Sequence, residues 1–188
     1  PLANRGLAWP DHIIHTKAMP LWIEWESGTG DLSALKQAIR QGTLSYTERY
    51  RSYIKTYRKP GDQEGDSHPR VLLIPGVGLF ATGPDKQTAI KTAETYRRTI
   101  AIIGGATALS QFLALREGDA YDMEYWPLER YRLLVTRTAG ELSGLVALVS
   151  GGGSGIGRAT AERRARAGAH VVLADVETAR STDVARTI

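Results

Sequence analysis

The 188-residue chain has no cysteine, only two phenylalanines and a net charge of only +4. Without cysteine it has neither disulfides nor thiolate metal ligands. It has no apolar run long enough for a membrane span and no signal-like N-terminus, so we expect a cytoplasmic protein without a membrane partner. Its small positive excess is not gathered into a basic block, which argues against nucleic acid as a partner. The hydrophobic share of 42% is enough for the core of one large or two small domains.

The most informative stretch is the glycine-rich segment 150–157, which lies between an apolar run at 145–149 and a helix-like stretch at 158–167. Glycines let a strand turn sharply into a helix and bring backbone N–H groups against a pyrophosphate. A glycine string alone is weak evidence. Here Gly168 is placed to end the helix, and the apolar run 170–174 predicts a second buried strand. The segment is therefore predicted to form a β-α-β unit that binds a dinucleotide.

Asp175 follows the second strand, where such folds place a carboxylate that accepts hydrogen bonds from the adenosine ribose. Its charge would repel a 2′-phosphate, and neither Ser154 nor Val176 supplies a compensating positive charge, so NAD is favoured over NADP. The alternative is that Asp175 only caps the next helix. The predicted cofactor-binding residues are Ser150, Gly151, Gly153, Ser154, Gly155, Ile156, Gly157, Asp175 and Val176.

A nucleotide-triphosphatase loop is a competing interpretation, because Gly152 and Gly157 have the required four intervening residues. Arg158 and Ala159 stand where that loop needs lysine and then serine or threonine to reach the terminal phosphates and hold magnesium. The competing interpretation is therefore rejected.

The same segment resembles the N-terminus of the short-chain dehydrogenase/reductase family, whose pattern is Thr-Gly, three variable residues and Gly-Ile-Gly. Ser150 replaces the threonine and keeps its hydroxyl, and residues 142–188 are similar to that family's first β-α-β unit and the start of its next helix. The resemblance implies a catalytic Tyr-x-x-x-Lys pair with a polarising serine. No Tyr-x-x-x-Lys occurs in this chain, and no tyrosine follows Tyr131. We therefore predict no catalytic residues in the chain, and no hydride transfer by it alone.

Two helices are predicted in the first third of the chain. Asp31 is expected to cap a helix that ends at Gly42, and the capping box at 45–48 is expected to open the next one. The second helix carries a stripe of tyrosines, Tyr46, Tyr50, Tyr53 and Tyr57. Such a stripe could stack on bases or sugars, but amphipathic packing is the favoured interpretation.

The segment 60–69 is a polar, turn-rich loop that is expected to separate two subregions. After it, residues 70–75 read as a buried strand, and 76–83 as a glycine turn leading into a helix with Pro84 at its first position. That helix is expected to end at the pair 104–105, because both residues are glycine.

The strand, glycine turn and helix resemble part of the class II aldolase/adducin family, where a strand leads into Asn-His-Gly-Leu and the histidine binds zinc. In this chain Val77, within the stretch 75–79, occupies the metal-ligand position, and an isopropyl group cannot coordinate zinc. We therefore predict no metal at this turn. A phosphate-binding turn is the alternative, and a structural turn is favoured.

His12 and His15, together with Asp11, are the other candidates for a metal site, and Lys17 is a candidate for a phosphate contact. A helix cap with a hydrogen-bonded neighbour is the favoured interpretation of the pair Asp11 and His12. The aromatics in 125–129 could touch a sugar or a partner subunit, and docking of a connecting segment onto the core is favoured.

The order of these segments, with 9–17, 74–83 and 122–129 preceding the dinucleotide motif, resembles the bifunctional aldolase/short-chain dehydrogenase proteins. Those proteins are associated with rhamnulose-phosphate cleavage and lactaldehyde oxidation. The resemblance implies an α/β fold, with a partial aldolase-like region at 1–140 and the truncated start of a Rossmann domain at 141–188. It also implies an internal fragment of a homo-oligomeric, NAD-dependent parent enzyme acting on a small sugar-derived alcohol or hydroxy-aldehyde.

Two other functions stay open. One is a non-catalytic dinucleotide-binding or assembly module, and the other is a free-standing zinc aldolase. The boundary between the two regions is expected in a linker at 136–143, and the second region is expected to be marginal alone, with open sheet edges and uncovered apolar faces.

Overall fold

The computed structural model describes residues 2–9, 12–26, 30–63, 65–135 and 140–188. The chain divides into two compact units, Pro1–Gly83 with Thr88–Leu134 and Pro84–Gln87 with Val135–Ile188. The combination of helices with small parallel and mixed sheets confirms the predicted α/β class. No helix within the described ranges is long and apolar enough to cross a membrane.

The first unit contains a short 3₁₀ turn, helices and a three-stranded sheet. In chain order its elements are the 3₁₀ turn Leu2–Asn4, α1 Ile13–Thr16, β1 Leu21–Trp22, α2 Leu32–Tyr57, β2 Val71–Ile74, β3 Gly78–Ala81, α3 Lys86–Leu109, α4 Glu117–Glu124 and α5 Pro127–Val135. Strand β1 pairs in parallel with β2, and β2 pairs antiparallel with β3. Because β1 and β2 lie on either side of the loop 60–69, the prediction that this loop separates two subregions is wrong. Glu64 in that loop lies outside the described residues.

Helix α2 is one continuous helix, so the predicted stop at Gly42 and restart at 45–48 are wrong. The predicted cap is confirmed, because the Asp31 carboxylate accepts hydrogen bonds from the amides of Ser33 and Ala34. Gly42 has a different reason to be glycine: a Cβ there would lie 3.1 Å from Ile23 Cδ1. The missing side chain lets the helix lie close to the segment that follows β1, at a cost of about 1 kcal/mol for a glycine within a helix.

The segment after β2 is a hairpin, and the predicted glycine turn into a helix opened by Pro84 is wrong. The Val77 amide donates to the Ile74 carbonyl at 3.1 Å, and Gly76 supplies a φ of +74° for the tight turn. Helix α3 begins only at Lys86. It also continues through 104–105, so the break predicted there is wrong.

Aromatic packing forms much of the first unit's core, and it confirms the packing interpretation of the tyrosine stripe. Tyr46 and Tyr50 are buried with ring centroids 5.9 Å apart. Tyr121 is fully buried and stacks on Tyr125 at 4.3 Å. Both pairs of tyrosines belong to one cluster of buried residues, which contains Leu21, Ile23, Tyr46, Tyr50, Ile54, Ile74, Tyr121 and Tyr125.

The second unit contains the predicted β-α-β unit. Its elements are β4 Val146–Ser150, α6 Gly155–Arg166, β5 His170–Ala174 and α7 Thr178–Thr187. Strands β4 and β5 are parallel and in register from Val146 with His170 to Ser150 with Ala174. Gly168 ends α6 as predicted, since it has a φ of +96° and its amide donates to the Ala165 carbonyl.

The residues before β4 form a turn, in which the Ser143 amide donates to the Gly140 carbonyl at 3.0 Å. Residues 136–139 of the predicted linker, including Thr136 and Thr138, lie outside the described residues, and the proposed boundary at 140/141 stays a prediction. Several apolar side chains on the two strands or directly before them are exposed, namely Leu145, Val146, Leu148 and Val172.

Candidate nucleotide site

The turn from β4 into α6 is shaped by glycines. Gly151 has a φ of +69°, and its amide donates to the Ala174 carbonyl at 2.7 Å, which ties the end of β4 to the end of β5. Gly155 also has a positive φ, of +52°. A Cβ on Gly157 would lie 2.0 Å from the Gly151 carbonyl oxygen, so only glycine lets the helix start this close to the turn.

The helix start leaves backbone donors available. Ser154 is the N-cap of α6, but its side chain makes no capping hydrogen bond. Gly151 and Gly153 use their amides within the unit, towards Ala174 and Asp175. Among the described residues no hydrogen bond uses the amides of 154–157. Since these donors lie at the positive end of a 12-residue helix, they fit the oxygens of a phosphate or diphosphate.

Asp175 lies directly beside this turn. Its carboxylate accepts hydrogen bonds from the amides of Gly153 at 2.8 Å and Glu177 at 2.9 Å. The bond from Glu177 and then that from Gly153 lower the pKa of the Asp175 carboxyl below its usual range. Glu177 is itself the N-cap of α7, so Asp175 does not cap that helix as the alternative predicts. The Gly153 contact ties the Asp175 carboxylate to the glycine turn, so the structure brings together the turn and the acidic residue that the sequence predicts for one site.

Two apolar side chains flank the turn and are open to solvent. Ile156 in the first turn of α6 is 88% exposed, and Val176 after Asp175 is 97% exposed. With Ser150 at the last position of β4, every predicted cofactor-binding residue lies on the strand-to-helix turn or at the end of the neighbouring strand. Exposed apolar side chains at this place are available to the flat faces of a cofactor's rings.

Arg180 was missed by the sequence reasoning. It lies in α7, and a Cβ on Gly153 would lie 3.0 Å from the Arg180 Cβ and 2.9 Å from Asp175 Oδ2. The arginine charge also contributes to the lowered pKa of Asp175. The missed signal was its position in the first turn of the helix that follows the acidic residue, where a side chain can point back towards the strand end.

A groove of about 830 Å³ runs along β4 and α6 and reaches the glycine turn at one end. Its lining includes all of β4, Leu145 just before the strand, and Ile156 and Gly157 in the first turn of α6. The groove follows the side of β4 and α6 and takes in only part of the turn that carries the amides at 154–157. We therefore locate the candidate site from the donors and the Asp175 carboxylate and not from the groove.

A second group of polar residues lies buried in the first unit. Lys17 is 5% exposed, and its Nζ donates to the Asp66 carbonyl and lies 3.7 Å from the centroid of the Tyr50 ring. The Tyr50 hydroxyl donates to Glu124, and burial raises the pKa of that carboxyl. Burial also lowers the pKa of Lys17 to about 8. These groups contact one another, so the lysine predicted as a phosphate contact has buried partners within the unit.

The predicted metal candidates do not form a cluster. His12 lies at the N-cap of α1, its ring contacts Trp9 at 3.7 Å, and its Nδ1 is 3.3 Å from Thr99 Oγ1. Asp11 lies outside the described residues. Val77 stands half-exposed at the hairpin tip. No group of three or more potential metal ligands occurs within the described part of the chain.

Comparison with known proteins found one matching family and similarity to curated proteins. Residues 1–133 match the family described as "Aldolase class II, second domain". "Uncharacterized oxidoreductase YuxG" of Bacillus subtilis (strain 168) is 43% identical over 93% of this chain, and the chain spans 25% of that protein's length. "3-hydroxyacyl-CoA dehydrogenase type-2" of Drosophila melanogaster is 56% identical over 41 residues, which are 22% of this chain and 16% of that protein. No solved structure matches.

Proposed function

Since the chain belongs to the class II aldolase second-domain family through residues 1–133 and has relatives named as an oxidoreductase and a dehydrogenase, we propose that it combines an aldolase-like region with the NAD-binding start of a short-chain dehydrogenase. The dehydrogenase-like character rests on those relatives. The cofactor, the fusion and the boundary at 140/141 are our proposal. In this proposal the aldolase-like region and the start of the dehydrogenase follow one another along one polypeptide.

The amides of 154–157 next to the Asp175 carboxylate carry this proposal. A diphosphate would bind those amides, the carboxylate would accept hydrogen bonds from the ribose diol, and Ile156 and Val176 would flank the rings. A bound NAD would supply the hydride acceptor. The chain's own contribution is to bind and orient it, because no Tyr-x-x-x-Lys occurs in the sequence.

The activity of a longer protein is also proposed only. The chain spans a quarter of YuxG, and we propose that a protein of this kind oxidises a small sugar-derived alcohol or hydroxy-aldehyde, as a cytoplasmic homo-oligomer. We also propose that the aldolase-like region of this chain binds no zinc at this turn, because Val77 stands where the aldolase pattern has its ligand histidine. Elemental analysis that finds about one zinc per purified chain would contradict this part.

The proposal is tested by titrating the ¹⁵N-labelled chain with NAD and following its amide resonances. We expect saturable shifts at 154–157 and at Gly153, even if the affinity is only millimolar. Asp175→Ala should weaken binding, because the ribose loses its acceptor. Asp183→Ala is the matched control, since Asp183 is an exposed aspartate on α7. A wild-type chain whose glycine amides do not respond to NAD would refute the site.

A non-catalytic assembly module is the second candidate, and it is favoured by the exposed apolar residues Leu145, just before β4, and Val146 and Leu148 on β4. It predicts self-association without NAD binding. Sedimentation of the same chain measures its self-association with and without NAD. Self-association together with a failed NAD titration would favour the assembly module, whereas the dehydrogenase proposal requires the titration to succeed.

A further inference from the structure

A cavity of about 180 Å³ lies between α2 and α4 in the first unit. Its apolar wall includes Leu7, Met19, Leu115 and Ala120, and three tyrosines of the stripe on α2 form another wall. The volume equals about six water molecules at roughly 30 Å³ each. Sites for drug-sized ligands have roughly 300–1,000 Å³. The cavity is therefore too small for a nucleotide and suits a small molecule with an apolar part.

The three tyrosines of the cavity wall differ in how their hydroxyls are used. The Tyr46 hydroxyl donates to the Met19 carbonyl at 2.9 Å, and the Tyr50 hydroxyl donates to Glu124. The Tyr53 hydroxyl is buried and has no hydrogen-bond partner among the described residues. A buried hydroxyl without a partner is costly. Tyr53 therefore offers a hydrogen bond to a ligand in the cavity.

Two exposed side chains of opposite charge also line the cavity, one on each helix. The guanidinium carbon of Arg49 on α2 lies 5.6 Å from the centroid of the Tyr46 ring. Glu117, the first residue of α4, accepts a hydrogen bond from the Tyr57 hydroxyl at 3.4 Å. Within the described part of the chain neither Arg49 nor Glu117 forms an ion pair. Both charges are thus available to a ligand.

We propose that this cavity binds an α-amino acid with an apolar side chain. Arg49 and Tyr53 are four residues apart on α2 and therefore lie on the same face of the helix, where they bind the carboxylate of the ligand. Glu117 binds the ammonium group from α4, and the apolar wall receives the side chain. A simple acid or amine would leave one of the two charges unused. All lining residues belong to the first unit, so this binding does not depend on the nucleotide site.

The test compares three ligands with the same branched apolar end. They are L-leucine, 4-methylpentanoate, which lacks the ammonium group, and 3-methylbutylamine, which lacks the carboxylate. Each is titrated into the full ¹⁵N-labelled chain, and dissociation constants are read from the amide shifts at 18–19, 46–53 and 114–120. We expect each analogue to bind about fivefold more weakly than leucine, as for the loss of one exposed charge pair. If either analogue binds as tightly as leucine, the cavity does not recognise an amino acid.

Three variants assign the contacts. Arg49→Ala should weaken the binding of leucine and of 4-methylpentanoate about fivefold and leave that of the amine unchanged. Tyr53→Phe, which removes only the hydroxyl, should give the same pattern. Glu117→Gln should weaken the binding of leucine and of the amine but not that of the acid.

Arg51→Ala is the matched control, because Arg51 is an exposed arginine of α2 that does not line the cavity. It should leave all three affinities unchanged. The proposal is wrong if leucine causes no saturable shifts in the wild-type chain, or if Arg51→Ala weakens its binding as much as Arg49→Ala does. The NAD titration is followed at other amides, those of 153–157, so either site can fail while the other stands.

Discussion

The two units of this chain differ in the kind of side chain that each one buries in its own interior. The first buries whole aromatic side chains, with Tyr96 and Tyr121 at 0% exposure. The buried hydrophobic side chains of the second unit are only small or medium-sized, and Leu148 on β4 is 73% exposed. Its candidate site is shaped by backbone conformation, because Gly151 and Gly155 have positive φ and Gly157 tolerates no Cβ. The comparison shows that a site can be specified by local glycine geometry even where little core surrounds it.

The largest expected change in the free energy of unfolding comes from removing one buried aromatic side chain from the core of the first unit. Tyr121 stacks on Tyr125 and donates to the Asp62 carboxylate at 2.8 Å. Tyr121→Ala should lower the free energy of unfolding by about 3–5 kcal/mol, because it leaves a large cavity. Tryptophan fluorescence during urea unfolding measures this in the first unit alone, since every tryptophan precedes residue 127.

The matched control is Tyr131→Ala, because Tyr131 is 64% exposed. It should change the free energy of unfolding by less than about 0.5 kcal/mol. The contrast between the units would be contradicted if Tyr121→Ala changed the free energy of unfolding as little as this control does. It would also be contradicted if Tyr121→Ala removed the amide shifts that NAD causes at 154–157.

The buried Lys17 should give the first unit a pH-dependent stability. Its folded pKa of about 8 lies below the ordinary value of 10.5, because burial disfavours the charged form more than Glu124 and Asp66 favour it, and Arg70 lowers it further. Between these values the unfolded chain holds a proton that the folded chain has released, so the free energy of unfolding rises with pH. The gain is at most about 3 kcal/mol.

The slope is best measured from about pH 8 to 10, because above pH 10 the buried tyrosines act in the opposite direction. Burial raises the pKa of Tyr46, so the unfolded chain then loses protons first. Lys17→Met should abolish the rise, and Lys36→Met, at an exposed position of α2, should keep it. An unchanged slope in Lys17→Met would show that Lys17 is not its source.

In the second unit the sharpest test is Gly157→Ala. The added Cβ would clash with the Gly151 carbonyl oxygen, and relief by backbone movement should cost about 1–3 kcal/mol. We expect faster amide hydrogen exchange along α6 and loss of the NAD-induced shifts, with tryptophan-detected unfolding of the first unit unchanged. Arg163→Ala, at an exposed position of the same helix, should leave both intact. Normal NAD binding by Gly157→Ala would contradict the assigned geometry.

The smallest expected effect has the opposite sign. Gly105 lies within α3, and a Cβ there meets no atom within 4 Å. Gly105→Ala should therefore raise the free energy of unfolding of the first unit by about 0.5–1 kcal/mol. Urea unfolding followed by tryptophan fluorescence checks this. A loss of stability would indicate that a helix break at 104–105 is important after all.

The sequence predicted local structure best where one residue type has one strong reason to be present. Asp31 caps α2, Gly168 ends α6, and the glycines at 151–157 make the strand-to-helix turn. It failed at Gly42 and at 104–105, because a glycine inside a helix and a glycine that ends a helix look alike in sequence. The contact between Gly42 and Ile23 comes from a residue that is distant in the chain, and no local pattern contains it.

By itself the sequence determined the β-α-β order of the second unit and the residue types at its turn, since glycine conformation and helix capping are local properties of the chain. Only the tertiary structure decided that Arg180 lies beside Asp175 and that Lys17 is buried over Tyr50. Side chains from separate elements meet only when the elements pack. Their charges then act on one another through a medium that is less polar than water, and this shifts their pKa values.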